Sequence, residues 1–247
     1  MKFIKKPNLP ENRVVSVAIS CEAGEAIQKL DSLGIETIKI PISKWLATPV
    51  RSHADMQILH IGNNTIFCQN EHLCTGELFG KFEMVPISQK LSKNYPGDVP
   101  LNCAVVGKRI ICNIKTTASE VLEFAYKSGL EIINVNQGYS KCSICIVNEN
   151  AIITDDESIF AATGKFLNDV LFVSKGSVAL KGYNYGFIGG CCGKIDNNEL
   201  AFNGRLESHN DFNKILDFLV RNNVKCVELT NNRLSDIGSI IPLCQTD

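Results

Sequence analysis

The sequence predicts an α/β fold: a five-bladed, pseudo-fivefold α/β propeller of repeated strand-strand-helix-strand units, closed by the C-terminal strand pairing with the N-terminal unit. Two observations carry this. One order of apolar strands, turns and amphipathic helices returns four times, from strand starts near residues 53, 102, 142 and 187. That spacing, roughly 45 residues, is of the size that marks arrays of supersecondary units. The pieces left over at the two ends also complement one another, because the C-terminal strand supplies the first strand that the N-terminal segment lacks. Closing five units in this way leaves no exposed sheet edge and makes 1–247 a single domain. An open sheet of alternating strands and helices is the competing architecture.

The elements follow in order. The N-terminal piece reads as the strand RVVSVAIS, a helix EAGEAIQKLDSLG and the strand IETIKI. The first full copy is DMQILHIGNNTIFCQN, a short segment HLCTGELFGK and the strand FEMVPI. The second opens with NCAVVGKRIIC. Thr117 is the expected cap of its helix, with Glu120 three residues on and Ala118, Val121, Leu122 and Ala125 as the apolar face. Gly129 ends that helix, and LEIINV is the strand after it. The third copy is a hairpin in KCSICIVNENAIIT around Asn148-Glu149-Asn150, the helix ESIFAATGKF and the strand DVLFVS. The fourth is YGFIGGCCGKIDNNELAFNG, SHNDFNKILDFLVRNN and VKCVELT, and Asp236–Leu243 is the closing strand.

Composition narrows the function. The chain is 45% apolar and 21% charged, ordinary for a globular protein with a core. A net charge of −1 gives no basic excess for a nucleic-acid or membrane-surface partner, and 7% aromatic residues do not suggest a stacking platform. Basic residues in Met1–Pro7 are not followed by an apolar run, so no signal peptide is expected, and no run of about 18 apolar residues suggests a membrane span. Eleven cysteines, an odd number without paired spacing, read as reduced thiols of a cytoplasmic protein. Cys142-Ser143-Ile144-Cys145 lies within an apolar strand on this reading, which points its two sulfurs to opposite faces and weakens a zinc or redox role. Gly189-Gly190-Cys191-Cys192-Gly193-Lys194 lacks the spacing of a phosphate loop and reads as a strand whose small residues permit close approach.

His53-Ala54-Asp55 opens the first full copy at a strand start, so both side chains are expected on one side. Two units on, Asn136-Gln137-Gly138-Tyr139-Ser140-Lys141-Cys142 is a glycine-bearing turn leading into a strand, and one unit back lies Leu234-Ser235-Asp236. This arrangement resembles the pentein, or guanidino-group-modifying, superfamily: arginine and agmatine deiminases, amidinotransferases, dimethylarginine dimethylaminohydrolases, and the non-catalytic ribosome anti-association initiation factor. The resemblance covers nearly the whole chain as architecture and little of it as motif, and it implies a divergent, circularly permuted member. It implies Cys142 as nucleophile, His53 as general acid/base, and Asp55 and Asp236 as carboxylates gripping a guanidinium. Where those families place an arginine immediately before the second acid, this chain has Ser235.

The chemistry suits these residue types. A guanidinium offers five N–H donors that carboxylates hold by paired, charge-assisted bonds. Its central carbon is then open to a thiolate. The expected function is a guanidino-modifying enzyme of hydrolase, deiminase or amidinotransferase type, acting on a small arginine-like molecule without a metal or other cofactor. The alternative is a non-catalytic ring that binds a partner. Cys191 or Cys192 is the reserve nucleophile. Asp98, in Asn94–Pro100, is a reserve substrate carboxylate or a turn residue. Asn102, Asn136 and Asn231 enter the same ends of the units as polar ligand groups or backbone caps, with Asn136 taken as a substrate-binding candidate. His60, His72 and His209 read as structural.

Overall fold

The computed structural model describes residues 1–69 and 79–247. In chain order it contains β1 (Lys2–Phe3), β2 (Val14–Ser20), α1 (Gly24–Ser32), β3 (Glu36–Ile40), α2 (Ala54–Gln57), β4 (Ile58–His60), β5 (Thr65–Cys68) and β6 (Glu83–Pro86). There follow β7 (Ala104–Val106), β8 (Arg109–Cys112), α3 (Ser119–Lys127), β9 (Glu131–Asn134), β10 (Ile144–Asn148), β11 (Ala151–Thr154), α4 (Glu157–Thr163) and β12 (Asp169–Phe172). The last stretch holds β13 (Cys192–Asp196), β14 (Glu199–Phe202), α5 (Phe212–Arg221), β15 (Lys225–Glu228) and β16 (Ile241–Gln245). Most of the segment HLCTGELFGK, His72 included, lies outside the described residues.

Five small sheets share one topology. In β4-β5-β6, β7-β8-β9, β10-β11-β12 and β13-β14-β15 the first pair is antiparallel and the second parallel. The hairpin needs only a tight turn, whereas the parallel step requires a crossover, which α3, α4 and α5 supply in three of the units. The fifth sheet joins the two ends of the chain: β16 pairs antiparallel with β2, and β2 pairs parallel with β3 across α1. β1, which the sequence pattern does not mark, adds to the free edge of β16.

The first two strands of each sheet are covered on both faces, which is why most of them read as nearly unbroken apolar runs, whereas the third strand is partly exposed. On β10 and β11, Cys145, Val147, Ala151 and Ile153 pack toward the β13-β14-β15 sheet. Ile144, Ile146 and Ile152 pack the other way, toward β7-β8-β9. Three further seams repeat the pattern, so that each sheet shares one apolar cluster with the sheet before it and another with the sheet after it. The sheet containing β16 and β2 shares one with β13-β14-β15 and one with β4-β5-β6. Residues 4–8 tie these units together from one end. Ile4 bonds with Leu243 and Asn63, Lys6 pairs with Glu149, and Asn8 donates to the Val105 carbonyl.

The sequence reading needs four local corrections. His53, Ala54 and Asp55 are not on a strand: His53 caps the single turn of α2, and β4 begins only at Ile58. Cys142 sits in a turn ahead of β10 while Cys145 is on the strand, and Gly189–Cys191 form the matching turn ahead of β13. Asp236–Ile240 likewise precede β16 instead of belonging to it. The small residues of the fourth copy do serve close approach, since a side chain on Gly189 would meet the Lys141 and Ile144 carbonyls. Finally, Ala118 and not Thr117 is the N-cap of α3. The Thr117 hydroxyl donates to the Asn113 carbonyl, and the Glu120 carboxylate accepts from the Ser88 N–H of the neighbouring unit.

Candidate active site

The turns that precede the first strands of the units gather at one end of the sheets and build a pocket of about 240 Å³. Its walls are Val50, Met56, Tyr139, Leu180, Tyr183, Asn184, Tyr185 and Phe187, and Cys142, His53 and Asp236 are the titratable candidates that line it with them. Three residues separated by up to 183 positions therefore meet in one place. Asp98, Asp55, Asn136, Cys191 and Cys192, also singled out from the sequence, do not line it.

Asp236 is held by its own turn and by the chain opposite. Its Oδ1 accepts from Gly238 N and its Oδ2 from Phe187 N, each at 3.0 Å. Each carboxylate oxygen carries two lone pairs, so both retain a free acceptor site. Burial pushes its pKa up to about 6, against the two N–H bonds and the charge of Lys141, which pull it down. The neighbouring glycines make room for it: a side chain on Gly190 would run into the carboxylate. Gly238 has φ +74°, and any Cβ there would overlap the His53 side chain, so only glycine satisfies both the backbone and the space.

His53 is 4% exposed, and its Nδ1 lies 3.8 Å from Asp236 Oδ1 with no hydrogen-bond partner. Burial lowers its pKa, which favours the neutral imidazole. An orphaned ring nitrogen this close to a carboxylate is poised to gain a proton when charge develops in the pocket.

Cys142 is held by Asn102, which the sequence marks only as a cap or ligand candidate. The Asn102 side-chain oxygen accepts from Lys141 N at 2.8 Å and Cys142 N at 3.2 Å, and its amide nitrogen lies 3.1 Å from Cys142 Sγ. The thiol itself donates to Asp55 Oδ2 at 3.2 Å. Burial, then the charges of Asp55 and Asp236, push the thiol well above its ordinary range, so it rests protonated.

Asp55 is the main correction at the site. On a strand, residues i and i+2 share a face; on a helical turn of 3.6 residues they point about 200° apart. Asp55 lies in the turn of α2 while His53 is its extended N-cap, so the strand relation fails: His53 lines the pocket and Asp55 turns inward. There its Oδ2 accepts from the Ser239 hydroxyl at 2.6 Å, and Ser239 in turn accepts from Lys141 Nζ at 2.9 Å. Ser239 adopts φ +69°, a region that non-glycine residues rarely enter, and this places its hydroxyl between the two charges. Burial raises the Asp55 pKa, with His53 and Lys141 opposing.

The remaining candidates fall away for identifiable reasons. Asp98 is buried and accepts from Tyr139 Oη at 2.7 Å, so it orients a wall residue rather than facing the pocket. Asn136 is exposed and offers its carbonyl to Asn113, and Asn231 is also exposed. The Cys191 and Cys192 thiols point to the carbonyls of Ile188 and Gly189 in the interior. His60 bonds to the Asn63 carbonyl and His209 accepts from Asp211 N, both structural. What the sequence reading missed is the aromatic wall. Tyr139 stacks on Phe187 at 5.8 Å, Tyr185 meets Phe187 edge-on at 6.1 Å, and Tyr95 flanks Tyr139 at 5.9 Å. The signal was present: Tyr183, Tyr185 and Phe187 put three aromatics into five residues of a chain with few.

Three comparisons bear on this site. Residues 16–241 match a family described as of unknown function, DUF6873. No curated protein matches the chain. Among solved structures, the inosamine-phosphate amidinotransferase StrB1 of Streptomyces griseus superposes with a TM-score of 0.61 at 10% identity, covering 100% of this chain and 98% of its own. SxtG, an amidinotransferase of the saxitoxin biosynthetic pathway from Microseira wollei, gives 0.55 at 13% identity, with 91% of each chain covered. Dimethylarginine dimethylaminohydrolase from Pseudomonas aeruginosa, solved as a Cys→Ser variant with citrulline, gives 0.54 at 9% identity, covering 88% of this chain and 92% of its own. The fold is the pentein fold.

Proposed function

We propose that this chain, which belongs to the DUF6873 family, is a guanidino-modifying enzyme of amidinohydrolase, deiminase or amidinotransferase type. Its five units are read as a pseudo-fivefold propeller whose turns converge on the pocket. The observation that carries the proposal is that a thiol, an imidazole and a carboxylate from three different units line one small cavity: Cys142, His53 and Asp236. Nine of the described cysteines, Cys142 among them, are free thiols, which supports a reducing, cytoplasmic setting.

In this reading Asp236 pairs with the guanidinium through the acceptor sites left free by Phe187 and Gly238. As Cys142 Sγ adds to the central carbon, neutral His53 takes the thiol proton and the imidazolium is stabilised by Asp236. The C–N bond then breaks, and His53 returns the proton to the departing amine. The amidino group on Sγ passes to water or to an acceptor amine. Asp55 is assigned a new role: it orients the resting thiol, and its charge keeps that thiol protonated until a cation arrives.

Two measurements test this. Incubating the full chain with a panel of guanidino compounds, with and without an acceptor amine, is expected to release ammonia or an amine, or to transfer the amidino group. A folded protein inert across the panel would sink the catalytic reading. Guanidinium affinity is also expected to rise with pH through about 6, because Asp236 is protonated and neutral below that value while the ligand stays charged. By calorimetry the affinity falls about tenfold per pH unit below the midpoint; a flat profile from pH 5 to 7.5 removes Asp236 as the anchor.

A further inference from the structure

We propose that the pocket takes a guanidinium or amidinium carried on an apolar or aromatic stem with no anionic group, an inference that rests on the reading above and specifies its substrate class. Around the reactive groups, the described lining consists of aliphatic and aromatic side chains with Asn184 as the one further amide. Asp236 is the single carboxylate, and no lysine or arginine lines the cavity among the described residues.

The nearby cations are committed elsewhere. Lys141 is buried and donates to Ser239, facing Asp55 in the interior. Arg51 is joined to Glu22 by two bonds at the surface. Lys181, beside Leu180 in the chain, is exposed and does not line the pocket. A ligand with a carboxylate on its stem would therefore lose that group's hydration against apolar walls with no cation to offset it, and would share the cavity with Asp236. The Tyr139–Phe187 stack and the edge of Tyr185 offer instead a flat surface for a planar cation or aromatic stem. A volume of about 240 Å³ limits the ligand to a small molecule. Selectivity on this view comes from what the walls refuse as much as from what Asp236 attracts.

Calorimetry on the full chain at pH 7.5 tests the inference with n-butylguanidine, benzylguanidine and arginine, which share one head group. The two carboxylate-free compounds are expected to bind at least about fivefold more tightly than arginine, and Asp236→Asn to weaken both by about tenfold or more. Leu180→Arg, which adds a cation to the wall, is expected to narrow or reverse the preference. Arginine binding within fivefold of n-butylguanidine, or more tightly, overturns the substrate class while leaving the guanidino reading in place. Failure of all three compounds to bind a folded protein overturns the guanidino reading and this inference with it.

Discussion

Cys142→Ala is expected to lower turnover of a guanidino substrate by at least about 10³-fold, because covalent catalysis has no route around its nucleophile. The variant should fold normally: the methyl fits within the space of the thiol, and the Asn102 side chain still holds the turn through the two backbone N–H groups. Ligand affinity, carried by Asp236 and the aromatic wall, should stay within about threefold, so the loss appears in kcat rather than KM. His53→Gln should give a comparable loss in kcat and also remove the dependence on the histidine's protonation from the pH profile. Rates measured on both variants alongside circular dichroism decide the matter. Undiminished turnover in Cys142→Ala excludes it as the nucleophile, and the reserve thiols Cys191 and Cys192, buried away from the pocket, offer no replacement.

Gly193→Ala is expected to destabilise the fold by about 3 kcal/mol or more, the range of severe overpacking. Gly193 lies on β13, opposite Ala201 on β14. A Cβ built there would collide with the Ile240 carbonyl, just ahead of β16. Neither partner is a flexible side chain. Ile240 N donates to the Cys192 carbonyl at 3.1 Å, so the two backbones are locked together where the fourth unit meets the closing sheet. For a chain of this length, about 3 kcal/mol corresponds to a Tm roughly 6–12 °C lower by calorimetry. An unchanged Tm would mean that the β13–β16 seam is not packed as described. Gly24, whose added Cβ meets nothing, serves as the control.

Much of the fold was legible because the first two strands of each unit are buried on both sides and so announce themselves as apolar runs, as in Ile144–Asn148 and Ala151–Thr154. The hairpin turns and the glycine ending α3, at φ +67°, are equally local signals. The complementary ends could be read because a unit that lacks its first strand is conspicuous among four that have it. The candidate site was legible in part. His53, Cys142 and Asp236 stand out by residue type and by their recurrence at equivalent places in the units. Asp55 was placed on the wrong side because Asp-Met-Gln-Ile-Leu-His alternates like a strand while its first half is a helical turn. Nothing local separates the two, since one turn of helix is too short to show a period of 3.6.

The sequence by itself determined the repeating units, the joining of the two ends and three of the residues that line the pocket. All of these rest on patterns of neighbouring residues that burial imposes directly on the chain. The tertiary structure alone decided which side chains share a cavity. It set Asp236 beside His53, turned Asp55 toward Ser239 and Lys141, closed Asn102 around Cys142, and left the pocket one carboxylate among apolar walls. The reason is geometric: these contacts join turns from different units, and the change from the extended His53 to the helical turn holding Asp55 decides which carboxylate meets the pocket.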